Sequence, residues 1–281
     1  MALLAGAGAA GYMLFESQWL RGREAPLLVD GLPEELGGLR ILHISDVHAG
    51  QLGMNLRTLR KAVNWAEQRH PDLVVLTGDI LGGRLGQTGC LDILSRLKAP
   101  LGVFAVLGNH EYGLSKNPLT SAPGPIPWER AGITLLRDTC VPIVWPADDP
   151  RETATVTVCG ADYITGGHPL LDGITPDADL AVLLTHLPPD PTDPLAEKFH
   201  LAFAGHTHGG QIRLPTPWGL RSLHSEGLPY IEGVHRWGRG LLVISAGIGT
   251  TFLPFRLFTR PQVVLYRLTP GGSGIHGVGK E

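Results

Sequence analysis

Aspartate, histidine and asparagine residues recur in short motifs along this 281-residue sequence, and most of the motifs contain glycine. In chain order the motifs are Asp46-Val-His48, Gly78-Asp79, Gly108-Asn109-His110-Glu111, His186 and Gly205-His206-Thr207-His208-Gly209. Carboxylate oxygens, imidazole nitrogens and an asparagine carbonyl suit Mn²⁺, Fe or Zn²⁺, and no thiolate is involved. The motifs therefore predict a metal site built from oxygen and nitrogen donors.

Each motif follows a short apolar run that predicts a β-strand. The runs are Leu39 to Ser45, Leu73 to Thr77, Val103 to Leu107, Leu180 to Thr185 and Leu201 to Ala204. Because α/β sheets bind their ligands at the carboxyl ends of the strands, we expect the motifs to meet at one edge. On an extended segment His206 and His208 point to the same side, so each can bind a different one of two adjacent ions.

The rest of the chain predicts an α/β domain. Further apolar runs that indicate strands are Thr155 to Cys159, Leu241 to Ser245 and Val263 to Leu268. Asn55 is a candidate N-cap for a helix that has Leu59, Val63 and Ala66 on one face. This β-α-β order favours parallel sheet in the first half, and the closer spacing of the later strands favours added antiparallel pairs. Two Gly- and Pro-rich stretches, 82–89 and 114–127, predict loops.

Composition excludes several classes of protein. A hydrophobic fraction of 43% is ample for a core and excludes disorder of the whole chain. The net charge of −3 recruits neither nucleic acid nor an anionic surface through bulk charge. Three widely spaced cysteines, Cys90, Cys140 and Cys159, predict neither a disulfide framework nor a Cys-rich zinc site.

The two ends of the chain differ from its middle. Residues 1–15 carry no charge, and as a helix they extend only roughly 22 Å, short of a hydrocarbon core of about 30 Å. We expect 1–25 to be an apolar segment, either a membrane anchor or its stump, 36–269 to form the catalytic domain, and 270–281 to be a flexible tail. We therefore expect a membrane-associated protein, without assigning the side of the membrane, or a cytoplasmic protein if the segment is not an anchor.

The ordered motif set D-x-H, G-D, G-N-H-E, H and G-H-x-H resembles the calcineurin-like metallophosphoesterases over about Leu39 to Leu268. The resemblance implies an α/β fold, a four-layer α/β/β/α sandwich with two mixed sheets. The stretches 205–212 and 245–250, with Pro254, are similar to the membrane-linked branch that contains YkuE-type phosphoesterases and one type of UDP-2,3-diacylglucosamine hydrolase of lipid A synthesis. Relatives in that branch often carry Arg at the position of Ala246. The resemblance therefore supports the metal ligands more strongly than it supports the substrate.

The same resemblance implies a role for each motif residue. One metal ion is held by Asp46, His48, Asp79 and His208, and Asp79 bridges to a second ion held by Asn109, His186 and His206. The cofactors are thus two divalent ions, Mn²⁺, Fe or Zn²⁺, that share a hydroxide. His110 is the expected catalytic residue, which either protonates the leaving oxygen or stabilises the transition state as an imidazolium, and Glu111 is expected to orient a ligand. Protein Ser/Thr phosphatases pair the catalytic His with an acidic residue three positions after the bridging Asp. That position is Gly82 here, which disfavours a phosphoprotein substrate and leaves open what orients His110.

Three functions remain at this stage. The first is hydrolysis of a phosphoester or pyrophosphate bond in a lipid-linked or nucleotide-linked substrate at a membrane surface, for example UDP-2,3-diacylglucosamine. The second is a soluble phosphodiesterase that acts on cyclic nucleotides or on phosphodiesters generally. The third is a non-catalytic scaffold, against which the complete ligand set argues. We expect no nucleic-acid partner, and the oligomeric state is left open.

Overall fold

A computed structural model describes residues 2–53, 55–117, 120–145, 153–167, 177–223 and 227–271. Two six-stranded sheets form the centre of the described structure. In spatial order the first contains β1 (Arg21–Asp30), β14 (Gln262–Gly271), β2 (Arg40–Ile44), β3 (Leu73–Thr77), β4 (Val103–Val106) and β5 (Thr134–Leu135). The second contains β12 (Gly233–Trp237), β13 (Gly240–Ile244), β9 (Leu201–Ala204), β8 (Leu180–Leu184), β7 (Ala154–Gly160) and β6 (Thr139–Trp145).

Both sheets are mixed, with parallel strands at their centres. β2, β3, β4 and β5 run parallel, as do β7, β8, β9 and β13. The antiparallel pairs are β14 with β2, β6 with β7 and β12 with β13. Every residue of β3, β8 and β9 is buried, as expected for strands that are covered on both faces.

Three apolar layers hold the sheets. The core between them contains, among others, Ile41, Val75, Val158, Val182 and Phe203. On the outer face of the first sheet lie α2 (Asn55–Glu67) and α3 (Gln87–Leu94). The outer face of the second sheet is covered, in the part of the chain that the structure describes, by the 3₁₀ helix Pro194–Glu197 and adjoining connections. The predicted α/β class with two mixed sheets is confirmed.

Helix α2 forms because its apolar residues repeat at helical spacing. Leu59, Ala62, Val63 and Ala66 are all buried against the first sheet, while the basic residues point elsewhere. Helix α3 corrects the prediction that 82–89 is entirely a loop. Gly86 adopts φ 87°, and α3 begins at the next residue and buries Cys90, Leu91 and Leu94.

The structure also corrects the prediction for the cysteines. Cys140 and Cys159 are direct cross-strand partners in the antiparallel pair β6–β7, with their Cα atoms 4.0 Å apart, and they form a disulfide. Their separation of 19 residues in sequence hides this contact, because it is the strand register that brings them together. Cys90 is the free cysteine and is buried.

The chain before residue 36 contributes to the first sheet. α1 (Ala2–Glu16) leads into β1, which pairs in parallel with β14 along its whole length. β14 continues to Gly271, so the sheet extends beyond both ends of the predicted 36–269 span. The remainder of the predicted tail, 272–281, lies outside the described residues. Among the described helices none combines the length and the apolarity needed to cross a bilayer.

Candidate metal centre

The predicted motifs lie in the loops that follow β2, β3, β4, β8 and β9. These loops are joined by backbone hydrogen bonds, for example from the Asp46 N–H to the Gly78 carbonyl (3.1 Å) and from the His48 N–H to the Asp79 carbonyl (2.9 Å). The carboxyl ends of the parallel strands in both sheets lie on the same side of the molecule, so the side chains converge there.

The backbone of this edge is left-handed at five of the predicted ligands. Their φ angles are +50° for Asp46, +50° for His48, +51° for Asp79, +70° for His206 and +51° for His208. Such conformations cost about 1–3 kcal/mol each in residues other than glycine, and they persist only where the surroundings impose them. The sequence predicted that His206 and His208 lie on an extended segment, and this prediction is wrong. β9 ends at Ala204, and left-handed turns direct the two rings instead.

One group of side chains consists of Asp46, His48 and His208. The Nε2 atoms of His48 and His208 lie 2.9 Å apart, and His208 Nε2 is 3.7 Å from Asp46 Oδ1. All three residues are buried. Ligand atoms at such separations can reach a common cation at the usual bond length of about 2.0–2.2 Å.

A second group consists of Asp79, His186 and His206. His186 Nε2 lies 3.3 Å from Asp79 Oδ2, 3.2 Å from Asn109 Oδ1 and 3.1 Å from His206 Nδ1. The same Oδ2 atom of Asp79 is 3.7 Å from His48 Nε2, so Asp79 stands between the two groups. The structure thus brings together all seven predicted ligands.

The chemistry of the donor atoms fits bound cations. His186 places Nδ1 2.8 Å from the carbonyl oxygen of Thr77, which calls for an N–H there and leaves a lone pair on Nε2. Close pairs of imidazole nitrogens, such as those of His48 and His208, repel if both carry lone pairs. A cation between them turns that repulsion into coordination.

In the metal-free site, burial and the charges of neighbouring histidines and carboxylates shift the pKa values of the predicted ligands. Burial lowers the pKa of His186, but the carboxylates of Asp79 and Asp46 outweigh it and raise that pKa to about 10. Burial opposes ionisation of Asp79, yet the charge and hydrogen bond of His186 hold its pKa well below the usual range. Burial raises the pKa of Asp46 to about 7 and lowers that of His48 to about 3.

Glu111 fixes the backbone rather than a ligand side chain. Its Oε2 accepts the N–H groups of Asp79 (3.0 Å) and Gly108 (2.8 Å), and its Oε1 accepts that of Leu81 (2.8 Å). One buried carboxylate therefore ties the loop after β4 to the loop after β3. Burial, followed by the charge of Asp79, raises the pKa of Glu111 to about 7.

Arg256 is a site residue that the sequence analysis missed. Its guanidinium is fully buried and donates to backbone carbonyls of the surrounding loops, including those of Ala246 (2.8 Å), Gly249 (3.1 Å from Nε) and His208 (3.4 Å). Burial lowers the pKa of Arg256 to about 10. Only the tertiary arrangement shows that this arginine contacts the loops of the metal ligands, because it is not part of the ligand motifs in the sequence.

His43, by contrast, is structural. It is buried in β2, and its Nε2 lies 2.9 Å from Thr77 Oγ1. Burial lowers the pKa of His43 to about 3, so the ring stays neutral.

Two Asp/His groups around one shared carboxylate are an arrangement typical of two-metal enzymes, among them phosphatases, nucleases and aminopeptidases. The comparison with known families agrees, because the calcineurin-like phosphoesterase profile matches residues 39–210. The chain belongs to this family of hydrolases.

Similar proteins occur in bacteria. The chain is 26% identical over 278 residues to the uncharacterized metallophosphoesterase YkuE of Bacillus subtilis. The alignment covers 95% of this chain and 92% of that protein. It is 29% identical over 252 residues to YkoQ of the same organism, covering 85% and 86%. It is 27% identical over 237 residues to the phosphodiesterase YaeI of Escherichia coli, covering 82% of each.

Gly205 tests how tightly the edge is packed. A Cβ atom at this position would overlap Ser45 Oγ and Asp46 Oδ2, so Asp46 must move if a side chain is added. We expect Gly205→Ala to lower the free energy of unfolding by about 1–3 kcal/mol and to weaken metal binding, as measured by denaturant titration and chelator competition. The control is Gly89→Ala in α3, where the nearest atom lies at 3.6 Å. Equal behaviour of the two variants would contradict this packing.

Metal uptake should depend on pH. His186 must lose a proton to bind a cation, and its pKa of about 10 means that the metal-free protein carries that proton at pH 7. Asp46, with a pKa of about 7, contributes a further fraction of a proton. We expect affinity to rise about tenfold per pH unit for each proton released between pH 6 and 8. Calorimetry in two buffers of different ionisation enthalpy measures the protons, and uptake without release would show that His186 is already neutral.

Proposed function

We propose that the protein hydrolyses a phosphodiester or pyrophosphate bond with two divalent cations held by the seven ligands. Asp46, His48, Asp79 and His208 hold one, and Asp79, Asn109, His186 and His206 hold the other. The single observation that supports this arrangement is the position of Asp79 Oδ2 within 3.7 Å of both His48 Nε2 and His186 Nε2. Bound cations of this kind supply Lewis acidity and lower the pKa of water.

The residues of the chain supply orientation and a proton. His110 is buried beside the two groups, with Nε2 3.8 Å from Asp79 Oδ2 and its ring edge-to-face with His48 at 4.4 Å between centroids. Its backbone N–H donates to Asp79 Oδ1 (2.9 Å), so the bridging carboxylate itself positions His110. In the proposed function, His110 donates a proton to the leaving oxygen from Nε2. Burial lowers the pKa of His110, and the charge of Asp79 opposes that shift and favours the imidazolium form that a proton donor requires.

The role of His110 can be measured with the metal-supplemented protein. We expect His110→Ala to retain metal and to lose turnover by about 10²–10⁴, with the larger loss on substrates that have poor leaving groups. The matched control is His70→Asn, at an exposed histidine whose φ of +46° asparagine tolerates. A His110→Ala protein with the turnover of the parent on every phosphoester would exclude this role.

The substrate panel for the same proteins contains a simple phosphodiester, a cyclic nucleotide, a phosphomonoester, a UDP-sugar and UDP-2,3-diacylglucosamine. Hydrolysis of acylated substrate alone supports the proposed membrane-linked branch. Hydrolysis of the cyclic nucleotide without lipid supports the soluble phosphodiesterase. A metal-loaded parent that turns over none of the panel supports the scaffold.

We further propose that the substrate is presented at a bilayer surface. α1 carries its single charged residue, Glu16, at its last position, and residues 6–9, 11 and 12 are exposed. Apolar side chains left exposed to water are unfavourable, and the interfacial region of a bilayer would cover them. Tyr12 and Trp19, near the end of this helix, suit the boundary between lipid and water.

Contacts connect this helix to the loops of the metal centre. The Thr259 N–H donates to Glu16 Oε1 (2.8 Å), and the Arg256 N–H donates to the Met13 carbonyl (3.2 Å). Gln211 closes the turn after His208. Its Nε2 donates to the carbonyl oxygens of Thr251 (3.0 Å) and Leu253 (3.4 Å). Phe252 and Leu253 in that loop are about half exposed. Exposed apolar side chains, here called the rim, therefore lie both on the helix and on a loop that contacts the turn after His208.

Vesicle binding tests the rim. We expect Phe252→Ser combined with Leu253→Ser to weaken binding to phosphatidylglycerol-containing vesicles about tenfold or more, since two apolar side chains no longer enter the interface. The control is Val144→Ser, at an exposed apolar residue of β6, a strand at the edge of the second sheet. If the double variant floats with vesicles as the parent does, or if the parent does not bind them, the membrane surface is excluded.

A further inference from the structure

Gln51 contacts two histidine rings of the site with one end of its side-chain amide. The Nε2 position of Gln51 lies 3.0 Å from His48 Nδ1 and 2.9 Å from His110 Nδ1. Of the described residues, no other makes a hydrogen bond to the ring of His110. The other end of the amide faces Asn117, whose Nδ2 is 3.5 Å from Gln51 Oε1.

The space that Gln51 occupies depends on Gly82. A Cβ atom at position 82 would overlap Cγ of Gln51 and lie 2.6 Å from its Nε2. A side chain at residue 82 and the observed position of Gln51 therefore exclude each other. In the protein Ser/Thr phosphatases, the acidic residue that pairs with the catalytic His stands at the position of Gly82. In this protein Gln51, in the loop after β2, lies beside His110 instead.

A metal ion held by His48 would decide which end of the amide faces the rings. His48 directs Nε2 towards the other predicted ligands, 2.9 Å from His208 Nε2. A histidine that binds metal through Nε2 carries its proton on Nδ1 and needs an acceptor there. Rotation of the Gln51 amide by 180° presents its oxygen at that position, and a carbonyl oxygen has two lone pairs, enough for both rings. The amide of Asn117 must then rotate as well, so that its oxygen accepts from the Gln51 amide.

We propose that Gln51 is a positioning residue whose amide oxygen accepts the Nδ1–H of both His48 and His110. It thereby fixes the orientation of a metal ligand and of the proton donor together. With its proton on Nδ1 held in this way, His110 exchanges protons through Nε2, the atom that faces Asp79. The kinetic consequence rests on the proposed role of His110, whereas the ring geometry does not.

Spectroscopy of the Zn²⁺-loaded protein tests the geometry without activity. In ¹⁵N–¹H spectra of the histidine rings, we expect the parent to show slowly exchanging Nδ1–H signals from both His48 and His110. Gln51→Leu should lose the His110 signal to solvent exchange, Gln51→Glu should keep it, and the control Gln87→Leu, whose amide donates to the Pro125 carbonyl, should match the parent. A parent without a protected Nδ1–H on His110 would overturn the proposal, even if Gln51→Leu fails to fold.

Kinetics test whether Gln51 acts through His110. We expect Gln51→Leu to lower turnover of a diester with a poor leaving group about 10–100-fold at saturating metal. In a His110→Ala background the same substitution should change turnover less than about twofold, since coupled residues are not additive. Equal losses in both backgrounds, or loss of metal as the only defect, would overturn the coupling. A parent inactive on every phosphoester would instead refute the proposed function and leave the spectroscopic result to decide the role of Gln51.

Discussion

The buried carboxylate of Asp79 is the group on which the site depends. It is 2% exposed, and one of its oxygens lies within 3.8 Å of the Nε2 atoms of His48, His110 and His186, while the other accepts the backbone N–H of His110. An ionised carboxylate in such surroundings is stable only with positive charge beside it. The histidinium of His186 provides that charge in the metal-free protein, and cations replace it when they bind. Metal binding is therefore an exchange of one compensating charge for another.

The backbone of the site is as unusual as its charges. Left-handed residues at the ligands and glycines without room for a Cβ atom bring five loops closer together than regular strand ends allow. Two buried ionisable side chains stabilise this arrangement of loops through hydrogen bonds to the backbone. Glu111 accepts backbone N–H groups, and Arg256 donates to backbone carbonyls. Both stabilise loops rather than side chains, and the rigid sheets beneath transmit that order to the ligands.

Sequence patterns predicted the parts of this protein that depend on local chemistry. β3 and β9 begin and end where their apolar runs do, and all seven predicted ligands meet at one edge. Features that depend on tertiary pairing could not be predicted. The Cys140–Cys159 bond follows from strand register, and β1 becomes a strand only because β14 accepts it at the sheet edge. Gln51 and Arg256 lie outside any motif, and their contacts arise only when distant loops fold together.

The position of β14 has a consequence for folding during synthesis. This strand is inserted between β1 and β2, although it lies far from both in sequence. The first sheet therefore cannot close until residues 262–271 have been made, because β1 joins the sheet only through β14. Closing so long a loop is slow, since distant contacts form late in folding. Until then the edge of β2 that β14 covers stays unpaired, and unpaired strand edges favour aggregation.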